Sequence, residues 1–239
     1  MEERIERYAA EEIRGIDLEI DCAELVVETA AVDEVQIAAR LDDKVDYESG
    51  VLDGKLSISC KYHGMKAHIR TEHLVRIEIV LPEEKHFTEI ATETGAGNID
   101  MRNAKLWCDR LDMEVGAGNV KIGELRVEEA LSASVGAGNA ELYSVNARKI
   151  DVDCGAGEFH MQGAVTEELN VDCGVGKCDI ALSGRESDYS YSVDCGIGSV
   201  SVNGNKIGGL GGKHSSQNAN ASGRINVSCG IGRVKIKVA

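Results

Sequence analysis

A Gly-x-Gly triplet flanked by alternating runs recurs seven times between Gly95 and Gly232, at spacings of 21, 20, 19, 19, 22 and 34 residues. That period constrains the chain more than any other feature. A unit of about 20 residues holds two short strands and a corner, so it cannot bury its own apolar face; stacked units can. The 34-residue interval reads as one unit carrying an insertion, and the polar stretch 208–223 supplies it as a surface loop.

Each unit alternates on both sides of its glycines. Ile150, Val152 and Cys154 share one phase before Gly155, and Phe159 and Met161 are apolar after Gly157. Alternation of period two marks a half-buried strand. Stacking turns the repeats into columns. The position before the first glycine reads Thr94, Val115, Val135, Cys154, Cys173, Cys195 and Cys229 in chain order. Two later columns run from Ile99 to Val234 and from Met101 to Ile236. Carrying the period through the corner also turns the middle residues inward, from Ala96 to Val175, Ile197 and Ile231. The glycines imply a backbone with positive φ or a close approach between neighbours.

Residues 1–88 lack the triplet but alternate as strands, for instance at Ile16–Cys22. Asp53-Gly54 between two alternating runs predicts a tight hairpin. Glu2–Arg14 is compatible with a short helix or with a strand beginning near Arg4. An exposed solenoid end needs cover. Residues 1–88 are therefore read as an antiparallel β region capping a repeat region at 89–239.

The eight cysteines all appear in phase with aliphatics, which makes them free thiols packed as small hydrophobes. No Cys-x-x-Cys is present and no histidine joins their column, so the linear spacing marks no metal site. Acids outnumber bases 41 to 26, which disfavours nucleic acid as a partner. Residues 1–50 hold 16 acids and 5 bases, whereas residues 201–239 hold six bases and no acid. That asymmetry points to a basic end able to dock an acidic partner, including the acidic end of a second copy. No 18-residue apolar run crosses a membrane. The first residues have no signal-peptide pattern. A cell-surface or envelope location is expected if an export segment precedes them, and a cytoplasmic one otherwise.

Candidate sites are few. Asp153, Asp172 and Asp194 would stack on three consecutive coils, where a solvated acidic face competes with a cation site. Asn98, Asn119 and Asn139 suit an asparagine ladder. Trp107 is out of phase with Leu106 and Cys108, which makes it a candidate partner contact. His63, His68 and His73 are read as edge histidines, with a metal cluster as the alternative. The Gly-Lys at 212–213 lacks the first glycine and the Ser/Thr of a phosphate loop. No catalytic set and no cofactor motif emerges.

The units of the type Thr94-Gly-Ala-Gly-Asn-Ile-Asp-Met101, preceded by a strand-rich region closing at Val80-Leu81-Pro82, resemble the bacterial β-strand-repeat family of putative adhesins, a domain of unknown function. The resemblance covers essentially the whole chain. It implies an all-β, right-handed parallel solenoid, here of about seven coils of ~20 residues. It also implies a cell-envelope role and supplies no catalytic residues. The expected function is a non-enzymatic binding or adhesion module whose flat faces contact protein, glycan or another copy, with self-association through the solenoid ends. An intracellular scaffold of an envelope-stress system is one alternative. A solenoid hydrolase or lyase using the stacked acids Asp153, Asp172 and Asp194 is the other.

Overall fold

The computed structural model describes residues 2–63, 75–207, 212–219 and 221–239. The first third holds β1 (Glu2–Ala9), β2 (Gly15–Ile20), β3 (Glu24–Ala30), β4 (Glu34–Leu41), β5 (Val45–Leu52), β6 (Lys55–Tyr62), β7 (Arg76–Pro82) and β8 (His86–Thr94). Four long strands each run from one Gly-x-Gly corner to the next: β9 (Asn98–Val115), β10 (Asn119–Val135), β11 (Asn139–Cys154) and β12 (Glu158–Cys173). The chain ends in β13 (Lys177–Leu182), β14 (Tyr189–Cys195), β15 (Ser199–Val202), β16 (Asn205–Ile207), β17 (Gly212–Ser216), β18 (Gly223–Cys229) and β19 (Arg233–Val238). The fold is all-β and solenoid-like: segments on either side of each corner stack in parallel register on the next repeat. Glu2–Ala9 is a strand, settling the helix-or-strand alternative for that segment.

The stacking order departs from the chain order at both ends. Before the corners the parallel order is β6, β2, β8, β9, β10, β11, β12, β18, β14. After them it is β7, β3, β9 to β13, β19, β15. The Gly230 repeat is thus inserted between the Gly174 and Gly196 repeats. The β2–β3 repeat is likewise inserted between β6–β7 and the Gly95 repeat. A hairpin explains each insertion. Asp53 and Gly54 have φ of 51° and 80°, and Asn203 and Gly204 have φ of 50° and 81°. Both form tight turns of the kind that joins twisted antiparallel strands. The first puts β5 on one edge of β6, and the second puts β16 on one edge of β15. Only the other edge stays open, so the remaining repeat must enter there.

These pairings correct the expectation for residues 1–88. β2, β3, β6 and β7 are parallel members of the stack, and the ladder crosses residue 88 without a break. Asp21-Cys22-Ala23 serves as the corner between β2 and β3: Ala96 N–H donates to the Asp21 carbonyl at 2.7 Å, as Ala117 N–H donates to Gly95. Antiparallel strands do cap the outermost repeats. β5 covers β6, and β4, carrying β1, covers β7. At the other end β17 covers β14 and β16 covers β15. Part of the stretch expected as a loop is therefore the strand β17.

The three expected core columns are buried along their whole length. Each Val, Leu or Ile there contributes roughly 1.5–3 kcal/mol. The fourth is not: Val175, Ile197 and Ile231 are 58%, 70% and 64% exposed. The corner breaks the period-two rule because the second glycine faces inward. A Cβ on Gly157 would lie 2.3 Å from the Gly138 carbonyl oxygen of the preceding repeat. Close approach, not positive φ, demands glycine there. The middle residue is left pointing to solvent.

Candidate functional site

Three surface features and one buried cluster emerge. The corner column reads, in space, Ala96, Ala117, Ala137, Ala156, Val175, Ile231, Ile197. Backbone bonds fix that order, since Ile231 N–H donates to Gly174 and Ile197 N–H to Gly230, each at 2.8 Å. The side chains thus grow from methyl to sec-butyl toward the C-terminal end. Neighbouring strands lie about 4.8 Å apart, so the last three form one aliphatic ridge about 10 Å long.

The ridge divides surfaces of opposite charge. On the side after the corner, β19 exposes Arg233, Lys235 and Lys237. Arg233 lies in register with Lys177 and Lys235 with Asp179. Lys177 is held by Asp179 at 3.2 Å, whereas no ion pair engages the three β19 cations among the described residues. A shallow depression on this face is lined by Tyr143, His160, Asp179, Lys235 and Lys237.

On the other side lie the acids. Asp153 and Asp172 are in register neighbours. Asp194 is not the third member. The inserted β18 places Ser228 between Asp172 and Asp194, and Lys213 of β17 holds Asp194 at 2.9 Å. The expected three-carboxylate stack does not form, because the stacking order is not the chain order. Below it, Asn226 donates to Asn170 at 2.8 Å and Asn170 to Asp151 at 2.7 Å. The asparagine ladder is real for one step, Asn119 to Asn98 at 2.8 Å, before Asn139 turns to Glu141.

Trp107 is half-buried on β9. Its indole N–H donates to Glu128 at 2.9 Å, His86 packs edge-on at 4.9 Å, and the Arg126 guanidinium lies 4.9 Å from its ring. His86 is itself fixed by Asp109 at 2.8 Å. These contacts cover much of the ring. His63 meets Asp46 at 3.1 Å, and His68 and His73 lie outside the described residues.

Seven cysteines are buried, while Cys22, at a corner's middle position, is half-exposed. Cys60 and Cys108 each stand apart from other buried thiols, and burial pushes both up to about 12. Cys154, Cys173 and Cys178 instead converge, with all three sulfurs within 4.8 Å of one another. Hydrogen bonding from Cys178 draws the Cys154 thiol down, and the same contact with burial pushes Cys178 up. Linear spacing hid this group. Cys173 and Cys178 flank one corner, and Cys154 comes from the preceding repeat. The missed signal was the columns: Cys178 occupies the Ile99–Val234 column one repeat beside Cys154.

Comparison with known proteins fits this architecture. The Toastrack DUF4097 family model matches residues 13–229, so the chain belongs to that family. The chain is similar over 100% of its length, at 16% identity and a TM-score of 0.41, to a putative cell adhesion protein from Clostridium sporogenes, 99% of which is covered. A putative adhesin from Bacteroides fragilis is 16% identical with a TM-score of 0.46, over 98% of this chain and 97% of that one. A putative lipid binding protein from Parabacteroides distasonis is 14% identical with a TM-score of 0.45, over 99% and 96%. No curated protein matches the chain. Among the described residues no helix is long and apolar enough to cross a membrane.

Proposed function

We propose that this protein is a non-enzymatic binding module of a bacterial cell envelope, and that its C-terminal end holds the partner. The carrying observation is the exposed ridge Val175–Ile231–Ile197 beside the β19 cations, which no ion pair engages among the described residues. A water-facing sec-butyl pair gains free energy when covered, roughly 1.5–3 kcal/mol per side chain. The neighbouring cations select an acidic surface. The acid-rich N-terminal region of a second copy is such a surface, and that contact is head-to-tail. On this reading the coils wind right-handed, and the parallel stack is a stiff rod presenting one contact edge.

Light scattering of the purified chain across concentration and salt tests the contact. The expected result is mass above 25.6 kDa at low salt, lost in Ile197→Asp/Ile231→Asp and in Lys235→Glu/Lys237→Glu. A single-chain mass throughout overturns self-association. Labelling intact cells with a membrane-impermeant amine reagent tests the location. Modification of Lys213 before lysis supports the envelope, and modification only after lysis moves the protein to the intracellular-scaffold alternative.

A further inference from the structure

We propose that Cys154, Cys173 and Cys178 form a three-sulfur site for a soft monovalent cation, copper(I). Cys154 ends β11 and Cys173 ends β12, in parallel register. Cys178 crosses to them from β13, on the far side of the Gly174-Val175-Gly176 corner. All three are 0% exposed, and the sulfurs lie within 4.8 Å of one another. A trigonal metal with metal–sulfur bonds of about 2.3 Å needs sulfurs about 4.0 Å apart, a modest contraction.

The space is made by the corner glycines. A Cβ on Gly176 would lie 2.7 Å from the Cys154 sulfur, and one on Gly232 would lie 2.7 Å from the Cys173 sulfur. Val135 stacks on Cys154, while Phe159 and Val234 flank Cys178. The wall is apolar apart from backbone carbonyls: Cys154 meets that of Gly157 at 3.3 Å and that of Lys177 at 3.9 Å.

The donor set selects the ion. Structural zinc takes four ligands in a tetrahedron, and only three sulfurs converge here among the described residues. Soft thiolates in a dry site favour copper(I), which accepts three. Each sulfur binds as the thiolate, so binding releases the three thiol protons to solvent. No electron is transferred, because the ion enters already reduced. The same column continues with two more buried thiols: Cys229 stacks on Cys173, and Cys195 of the outermost repeat stacks on Cys229.

The test is anaerobic titration of the reduced full chain with the copper(I)–bicinchoninate complex, with zinc(II) in parallel. The expected result is withdrawal of one copper equivalent with sulfur-to-copper ultraviolet absorption. Cys154→Val and Cys178→Val place in each column the residue that other repeats use there, so they should fold. Each should weaken uptake by at least the roughly 100-fold that loss of an outer-shell partner alone can cost. Cys108→Val should leave uptake unchanged. No copper withdrawn, equal uptake by Cys178→Val, or preference for zinc overturns the proposal. X-ray absorption on the wild-type chain decides without a variant: three sulfurs at about 2.3 Å support the site, and two overturn it.

Discussion

The two ends of the stack are built by the same device and finished with different chemistry. At each end the outermost parallel repeat is reached out of order, turned by a tight hairpin and covered by antiparallel strands. The device solves the edge problem, because an uncovered outer repeat would offer a row of free N–H and C=O groups to another chain. The N-terminal cover is the thicker. It stacks β1 on β4, and Arg4 lies over the Tyr47 ring at 5.7 Å. The C-terminal cover is two short strands, three residues in β16 and five in β17. The acidic end is thus doubly sealed, while the basic end leaves its ridge and cations in water. The difference teaches that capping and surface chemistry are separable: the ladder needs only a cover, and the side chains on the cover and corners set what the end presents to solvent.

The largest test of that comparison is truncation. Removing residues 223–239 takes away β18 and β19, the parallel partners of β14 and β15 among the described residues. Amide exchange should lose protection throughout β14–β17 while β9–β11 keep it. Removing β1 should expose only β4. Equal losses from the two deletions would break the comparison.

The corners give the next effect. Gly232 sits where a Cβ would lie 2.5 Å from the Gly176 carbonyl oxygen. The same position in the N-terminal inserted repeat is Ala23, which is buried. Gly232→Ala should cost about 3 kcal/mol in urea unfolding, and Ala23→Gly about 1 kcal/mol.

Alkali should loosen both ends. Burial pushes Tyr47 and Tyr191 up to about 12, whereas in the unfolded chain they ionise near pH 10. The stability each contributes is fully present below about pH 10 and is lost as pH rises toward 12, by about 2–3 kcal/mol. Tyr47→Phe and Tyr191→Phe should remove that loss in melts across this range. At pH 7 they should part company. The Tyr191 hydroxyl has no hydrogen-bond partner among the described residues, so its loss is neutral or stabilising, whereas Tyr47 gives up its bond to Glu6 at 3.4 Å.

The hairpins should respond alike. Asp53→Ala and Asn203→Ala each put alanine at positive φ, for about 1–2 kcal/mol. The smallest change is Asp172→Asn. It relieves one like-charged contact with Asp153, so stability should stay within about 0.5 kcal/mol. Binding at the C-terminal edge should persist.

The periodic alternation was legible because each strand answers to one rule, and Ile99, Val120 and Phe159 lie where that rule puts them. Asp53-Gly54 was legible because its turn is local. The inserted repeats were not, since Cys195 and Cys229 carry the same pattern and either could follow Cys173. The decisive sign was present in Asn203-Gly204, whose hairpin blocks one edge of β15. The N-terminal corner was hidden because Ala23 stands in for glycine. The outward middle residues were misassigned because a rule for strands was carried through a bend. The thiol cluster depends on contacts between repeats, which no linear spacing expresses.

The inserted Gly230 repeat has a consequence for the order of events in synthesis. The ribosome delivers β14 and β15 before β18 and β19, yet the later strands lie inside the earlier ones. Until the last residues emerge, the open edges of β12 and β13 face a repeat whose apolar phase fits them, with Cys195 matching Cys173 as well as Cys229 does. The native arrangement therefore closes only once residues 223–239 have emerged. Residues 223–239 act as a latch that must enter behind a door already in place.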